Sequence, residues 1–232
     1  MPINIFEVNK DQGASSGSDD VVGRFRSGFQ TTSGDPVGLS EFRVTTGDPD
    51  IAAAVRELLG GEEPETWDTK TEETFQVFTE ASSVDVIFEP GSVKSSLTLW
   101  SNKGKKIIET DGEYLYDLET GKLTDIPWDG AELDIDTIKM NARNGVGPGP
   151  SLQAYFRLAG NPDLGKFRFF SGGWTAVASF NKAEAAMRKA EGPHFGVLEL
   201  EHVEFKNKKG QQVSYYKPQI TIGNLVPQAE AA

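Results

Sequence analysis

VVGRFRSGFQTTSGDPVGLSEFRVTTGDPDIAAAVRELLGG, residues 21–61, decides the fold. From Val21 to Gln30 the residues alternate: Val21, Phe25 and Phe29 fall on one side, Arg24, Arg26 and Gln30 on the other. A period of two with one apolar side predicts a half-buried strand. Residues 31–38 hold Gly, Asp and Pro, the chemistry of a turn. Phe42 and Val44 then alternate with Glu41, Arg43 and Thr45 in a second strand. Paired as a hairpin, the two strands put Arg24, Arg26 and Arg43 on one face. Two readings of that face stand: a solvated outer surface with Glu41 as the nearby partner, or a surface that binds another molecule.

A helix follows the second strand. Asp48 is placed to cap it, Pro49 suits its first turn, and Asp50 favours the positive end of the helix dipole. Ile51, Val55, Leu58 and Leu59 recur on one helical face, and Gly60–Gly61 ends the run. A helix N-terminus also suits an anion, but these two aspartates would repel one, so capping is the better reading.

Around this unit the chain has 232 residues, net charge −12, and no cysteine. The missing thiols exclude disulfides, zinc–thiolate sites and cysteine nucleophiles. No apolar run is long enough to span a bilayer. The first residues lack a basic segment followed by an apolar one, so a secretory leader is not expected and the expected location is the cytoplasm. The acidic balance disfavours tight binding to naked nucleic acid and suits a basic protein partner.

Further along, residues 1–20 read as a flexible leader and 62–73 as an acidic loop containing Trp67. Short strands are expected around Phe75–Thr79, Val84–Phe88, Ser96–Trp100 and Ile107–Tyr116. The last of these is a hairpin turning at Asp111–Gly112 with a type I′ geometry. Ten acidic residues and one lysine occupy 109–136, read as a solvated acidic face or a dock for a basic partner. Their spacing fails the EF-hand pattern, since Ile138 takes a ligand position. NGVGPGPS, 144–151, is a Gly/Pro break and a possible subdomain boundary within a β-rich domain of residues 21–222. It is no phosphate loop, lacking the Lys-Ser/Thr pair. Leu152, Ala154, Phe156 and Leu158 alternate with polar residues, as Phe167 and Phe169 do with Lys166, Arg168 and Phe170. A second helix is expected at 182–191, capped by Asn181 with Glu184 at the capping-box position. Phe195–Phe205 and Val213–Ile222 form a long hairpin with a lysine-rich tip, Pro218 marking an edge strand or bulge. Residues 223–232 read as a flexible tail. The fold class is therefore α+β and β-rich, with about ten short, mostly antiparallel strands and two short helices.

Nothing in this sequence signals catalysis. His194 and His202 lack metal-ligand spacing, no G-x-S-x-G elbow is present, and the abundant carboxylates follow from composition. No catalytic, metal or cofactor residues are assigned.

The runs VVGRFRSG (21–28), RVTTGDPDIA (43–52), LLGG (58–61), YFRLAGNPDLGKFRFFSGGW (155–174) and VSYYKP (213–218) together resemble actinobacteriophage recombination directionality factors that act with large serine integrases. The resemblance implies a non-enzymatic accessory protein of the bacterial host cytoplasm. Such a protein binds its integrase directly, near the coiled-coil arm of the integrase's C-terminal region. It switches the integrase from integration to excision, the recombination of hybrid left and right sites. Attachment-site DNA is reached only through the integrase complex, and no cofactor is needed. The residues expected to meet the partner are Arg24, Arg26 and Arg43, and the aromatic–basic stretch around Phe167 to Trp174, with Phe167, Arg168 and Trp174 named within it. The competing reading is a phage single-stranded-DNA-binding or structural protein, because aromatics interleaved with basic residues also stack bases. A metal-dependent enzyme using the acidic loop is a third.

Overall fold

The computed structural model describes residues 20–31, 33 and 36–227. The leader thus lies outside the described residues except for Asp20, as do residues 228–232 of the tail. Strands β1 (Val21–Gln30) and β2 (Pro36–Thr46) form the expected hairpin, with Phe25 opposite Val44 and Arg26 opposite Arg43. Helix α1 (Pro49–Leu59) follows, and the Asp48 side chain accepts from the amides of Asp50 and Ile51. Gly60 stops it at φ 70°, its N–H donating to the Arg56 carbonyl. Gly61, at φ 106°, passes so close to β-structure that an added Cβ would lie 2.0 Å from the Phe78 carbonyl oxygen.

Short strands succeed one another: β3 (Glu65–Thr66), β4 (Phe75–Phe78), β5 (Ser83–Phe88), β6 (Val93–Trp100), β7 (Lys106–Thr110), β8 (Tyr114–Tyr116) and β9 (Leu123–Pro127). Helix α2 (Ile135–Arg143) leads through the Gly/Pro segment into β10 (Gly149–Leu158). Then come β11 (Lys166–Ser171), a 3-10 turn at Trp174–Ala176, α3 (Val177–Arg188), and the long pair β12 (His194–Lys206) and β13 (Gln212–Leu225).

The main sheet runs β3-β4-β2-β1-β11-β10-β6-β7-β8-β9. Every pairing in it is antiparallel except β1 with β11. β10 is its branch point. Its first residues pair with β6, but Arg157 and Leu158 pair with β5, which carries β12 and β13. The second group of strands folds back over β2, and α3 packs between β6 and β13. Strands from both sides of 144–151 are hydrogen-bonded neighbours, β1 with β11 among them.

One hydrophobic cluster fills the space between. Its centre is a set of phenylalanines from different strands. The Phe25 ring lies 5.5, 5.3 and 5.5 Å from those of Phe42, Phe156 and Phe167, each nearly edge-on. Phe88 joins through Phe156, and Phe180 of α3 through Phe169. All seven are 2 % exposed or less. Edge-to-face rings add about 0.5–1.5 kcal/mol per pair to the burial of apolar surface. Gly23 is part of the same packing: a Cβ there would stand 2.9 Å from Cε1 of Phe167, its neighbour across the parallel pair.

The β-rich α+β class is as expected, and so are the hairpins of β1–β2 and β12–β13. Pro218 lies in an edge strand, since β13 pairs only with β12. Several details differ. There are thirteen strands among the described residues and a third α-helix, α2. Asp134, in the acidic run whose spacing fails the EF-hand pattern, caps α2 by accepting from the amides of Asp136 and Thr137. α3 starts at Val177, so Asn181 and Glu184 sit inside it instead of capping it; burial of Val177 and Phe180 draws the earlier residues into the helix. The Asp111–Gly112 turn is not type I′, because no described non-glycine residue has positive φ. Instead the Asp111 carboxylate accepts from the amides of Glu113 and Tyr114. β13 continues through Gly223 to Leu225, within the stretch read as tail.

Truncating the central ring tests this packing. Phe25→Ala is expected to cost about 3–5 kcal/mol, whereas Phe170→Ala, at an exposed ring on the same sheet, should cost under about 1 kcal/mol. Urea unfolding midpoints of the two variants measure the difference.

Candidate functional site: an arginine–aromatic sheet face

The strict alternation that sends Phe25, Phe167 and Phe169 inward sends their neighbours to the opposite face. Arg24 and Arg168 are register partners across β1 and β11, and Arg26 and Arg43 across β1 and β2. Tyr155 of β10 lies opposite Arg168, and Gln153 opposite Phe170. Four arginines from three strands therefore share one surface. Like charges directly opposite one another are destabilising, so their neutralisation matters.

One carboxylate carries most of that task. Glu73, just before β4, meets Arg24 Nε at 2.6 Å and Arg26 Nη2 at 2.9 Å, and the Thr45 hydroxyl donates to it at 2.8 Å. The Arg24 contact is close but not aligned as a hydrogen bond, leaving that N–H without a partner in line. The expected partner, Glu41, is exposed and bonds the Ser40 hydroxyl instead. Trp67 holds the loop in place by donating its indole N–H to the Glu73 carbonyl at 2.6 Å.

Arg43 departs from the reading of a solvated face. It is only 5 % exposed. Its guanidinium lies 4.3 Å from the Trp67 ring and 5.6 Å from Phe78. Burial, reinforced by Arg26, pulls its pKa below the usual arginine value. Arg168 Nη2 donates to the side-chain Oε1 of Gln153 at 3.2 Å and lies between Tyr155 and Phe170 at 5.8 and 5.9 Å. Neither Arg43 Nε nor Arg168 Nε has a hydrogen-bond partner.

Three adjoining clefts mark this face. One of about 470 Å³ is lined by Arg24, Arg26, Trp100, Arg168 and Phe170. It shares Trp100 and Phe170 with a second, of about 670 Å³, that reaches Lys139, Arg143 and Trp174. It shares Arg26 with a third, of about 870 Å³, beside Arg43 and Trp67. Trp100 and Phe170 are 45 % and 44 % exposed, a high value for rings of this size. Arginine beside exposed tryptophan and phenylalanine is the composition of protein-binding hot spots, in which guanidinium groups receive carboxylates and the rings receive apolar side chains.

Of the six residues singled out from the sequence, Arg24, Arg26, Arg43 and Arg168 come together on this face, and Trp174 lies at its far end. Phe167 is fully buried in the aromatic core, so its side chain offers nothing to a partner. The sequence reading missed Trp100 and Glu73, and it included Phe170 only as part of the stretch 167–174. Phe170 was visible as the out-of-phase neighbour of Phe169. Trp100 and Glu73 reach the face through long-range pairing that no local pattern encodes.

A model of the Gp3-like family, described as recombination directionality factor-like, matches residues 22–223. The chain belongs to that family. No solved structure matches it. The matched span takes in every strand that builds the arginine face. Membership supports a non-catalytic, integrase-regulatory role, with a serine integrase as a consistent protein partner. The sequence holds no cysteine, and among the described residues no group of three or more His, Asp or Glu stands where it could hold a metal ion. No helix among the described residues is long and apolar enough to cross a membrane. The two histidines are apart in role: His194 Nδ1 lies 2.9 Å from the Gly192 carbonyl, and His202 stacks on Tyr216.

The most perturbed acid lies elsewhere. Glu184 of α3 faces β6, where burial raises its pKa to about 7 against the opposing pull of Ser95, Arg188 and Lys94. Its neighbour Tyr116 is raised by burial and by the Glu184 charge, and Lys94 is lowered by burial. These groups sit under a helix rather than in an open cleft, so the perturbation is structural. The folded state holds the Glu184 proton more tightly than the unfolded state. Stability from this group is therefore full below pH 4.5 and falls as pH rises towards 7, by up to about 3 kcal/mol. Glu184→Gln should remove that part of the pH dependence, so that the variant gains on the parent between pH 5 and 8 in thermal melts; parallel curves would contradict the assignment.

Proposed function

We propose that the chain is the excision switch of a phage large serine integrase. It binds the integrase, directs it to hybrid left and right attachment sites (attL × attR), and does no chemistry of its own. The arginine–aromatic face is the surface that meets the integrase. What supports this reading is the family match over residues 22–223 together with four crowded guanidinium groups, one principal carboxylate, and exposed rings at the same surface. Switching then amounts to a population shift: the chain binds one arrangement of the integrase better than another and favours it by that difference. Contact near the integrase's coiled-coil arm belongs to the same proposal.

A recombination assay tests it. Purified cognate integrase with hybrid left and right sites should give product only when the chain is added. Arg24→Ala/Arg168→Ala should weaken co-elution with integrase at least tenfold and lower product in step, with the melting temperature little changed. Absence of both product and co-elution with the parent chain would overturn the function. Full activity in the double variant would overturn the surface.

A further inference from the structure

A second surface differs from the first in shape and in chemistry. β5 covers β12 only from His194 to Glu199, and the last contact from that side is the Leu200 amide with the Ser82 carbonyl. Beyond it, residues 201–206 and 212–217 pair only with each other. At about 3.3 Å per residue this two-stranded ribbon stands roughly 20 Å clear of the sheet. Isolated hairpins are marginally stable, so a projecting ribbon needs its own fastening. This one has it: His202 stacks on Tyr216 at 4.7 Å, Phe205 packs edge-on to Tyr215, and Glu201 pairs with Lys217. The tip is also ordered. The Asn207 side chain accepts from the amides of Lys209 and Gln211, and Gly210 turns the chain at φ 77°.

That fastened tip concentrates positive charge in an acidic protein. Phe205 to Lys217 contains four lysines and no acidic residue, within a chain of net charge −12. Lys206, Lys208 and Lys209 are exposed, and none forms an ion pair with a described residue. Their nearest neighbours at the turn are Asn207, Gln211 and Gln212, and the exposed Glu204 lies two residues before Lys206 on β12. Lysine is depleted at the centres of protein interfaces, whereas lysine and amide side chains are both ordinary phosphate and sugar ligands of duplex DNA. The ribbon's reach also separates the tip from the acidic body by about two screening lengths at 0.1 M salt, so the body's repulsion is largely screened there.

We propose that the β12–β13 ribbon tip contacts the phosphate backbone of duplex DNA, independently of sequence, through Lys206, Lys208 and Lys209. This goes beyond the excision reading, and its test uses no integrase. The full chain is titrated against a labelled duplex of arbitrary sequence at about 0.1 M salt, and fluorescence anisotropy is followed. Weak, saturable binding is expected, with log K falling against log salt at a slope of about −2.7 for three phosphate contacts. K206E/K208E/K209E should bind at least tenfold more weakly while melting at the parent temperature. No binding by the parent chain, or equal binding by the variant, would overturn the proposal. Poly-L-glutamate binding as tightly as the duplex would also overturn it and assign the tip to an acidic protein.

Discussion

The structure depends on the two-residue period of three adjacent strands, β1, β11 and β10. Phe25 on β1 touches rings from β2, β10 and β11 at once, and the chain of aromatic contacts extends from Phe88 to Phe180. A slip of one residue in any of these strands would exchange its inner and outer sets. Phenylalanine would then meet water, and arginine would be buried without a partner. The core fixes the register for this reason, and the small residue at Gly23 lets the parallel β1–β11 pair close around Phe167.

Fixing the inner face also fixes the outer one. The four arginines did not need to attract one another to assemble; they were carried there by residues of opposite parity. The cost is electrostatic crowding, offset by Glu73, by Thr45 and by the rings of Trp67, Tyr155 and Phe170. The offset is incomplete, since the Nε groups of Arg43 and Arg168 have no acceptor. Those two Nε groups are themselves buried; what a partner can reach are the partly exposed guanidinium groups of Arg24 and Arg26 beside the exposed rings, a surface that suits carboxylates and apolar groups together. The ribbon tip, with lysine and amides and no exposed ring beyond Phe205, asks for a different ligand. A protein partner on the sheet and phosphate at the ribbon would let one small chain bridge an integrase and its DNA.

Where the pattern was local, the sequence was readable. The alternation of Phe25 with Arg24 and Arg26, the Asp48 cap, the Gly60–Gly61 stop and the lysine-tipped hairpin all follow from neighbours within a few residues. The start of α3 was not legible, because Val177 and Phe180 read equally as strand until the sheet is there to bury them. α2 was hidden for a related reason: Asp134 and Asp136 read as part of an acidic surface, and only Ile138 of that helix is buried. At the candidate site the arginines were legible as a set. Their counter-ion was not: Glu73 is 49 residues from Arg24 in an acidic loop, and only the β2–β4 pairing brings it back.

The central claim is that the outer face of this sheet is where the chain meets a large serine integrase. Photo-crosslinking tests it most directly. A benzophenone side chain is placed at Phe170, in the middle of the arginine face, or at Leu118, which is equally exposed in the segment between β8 and β9. The account predicts an adduct with the cognate integrase from position 170 and none from 118. An adduct from 118 with none from 170 would contradict it.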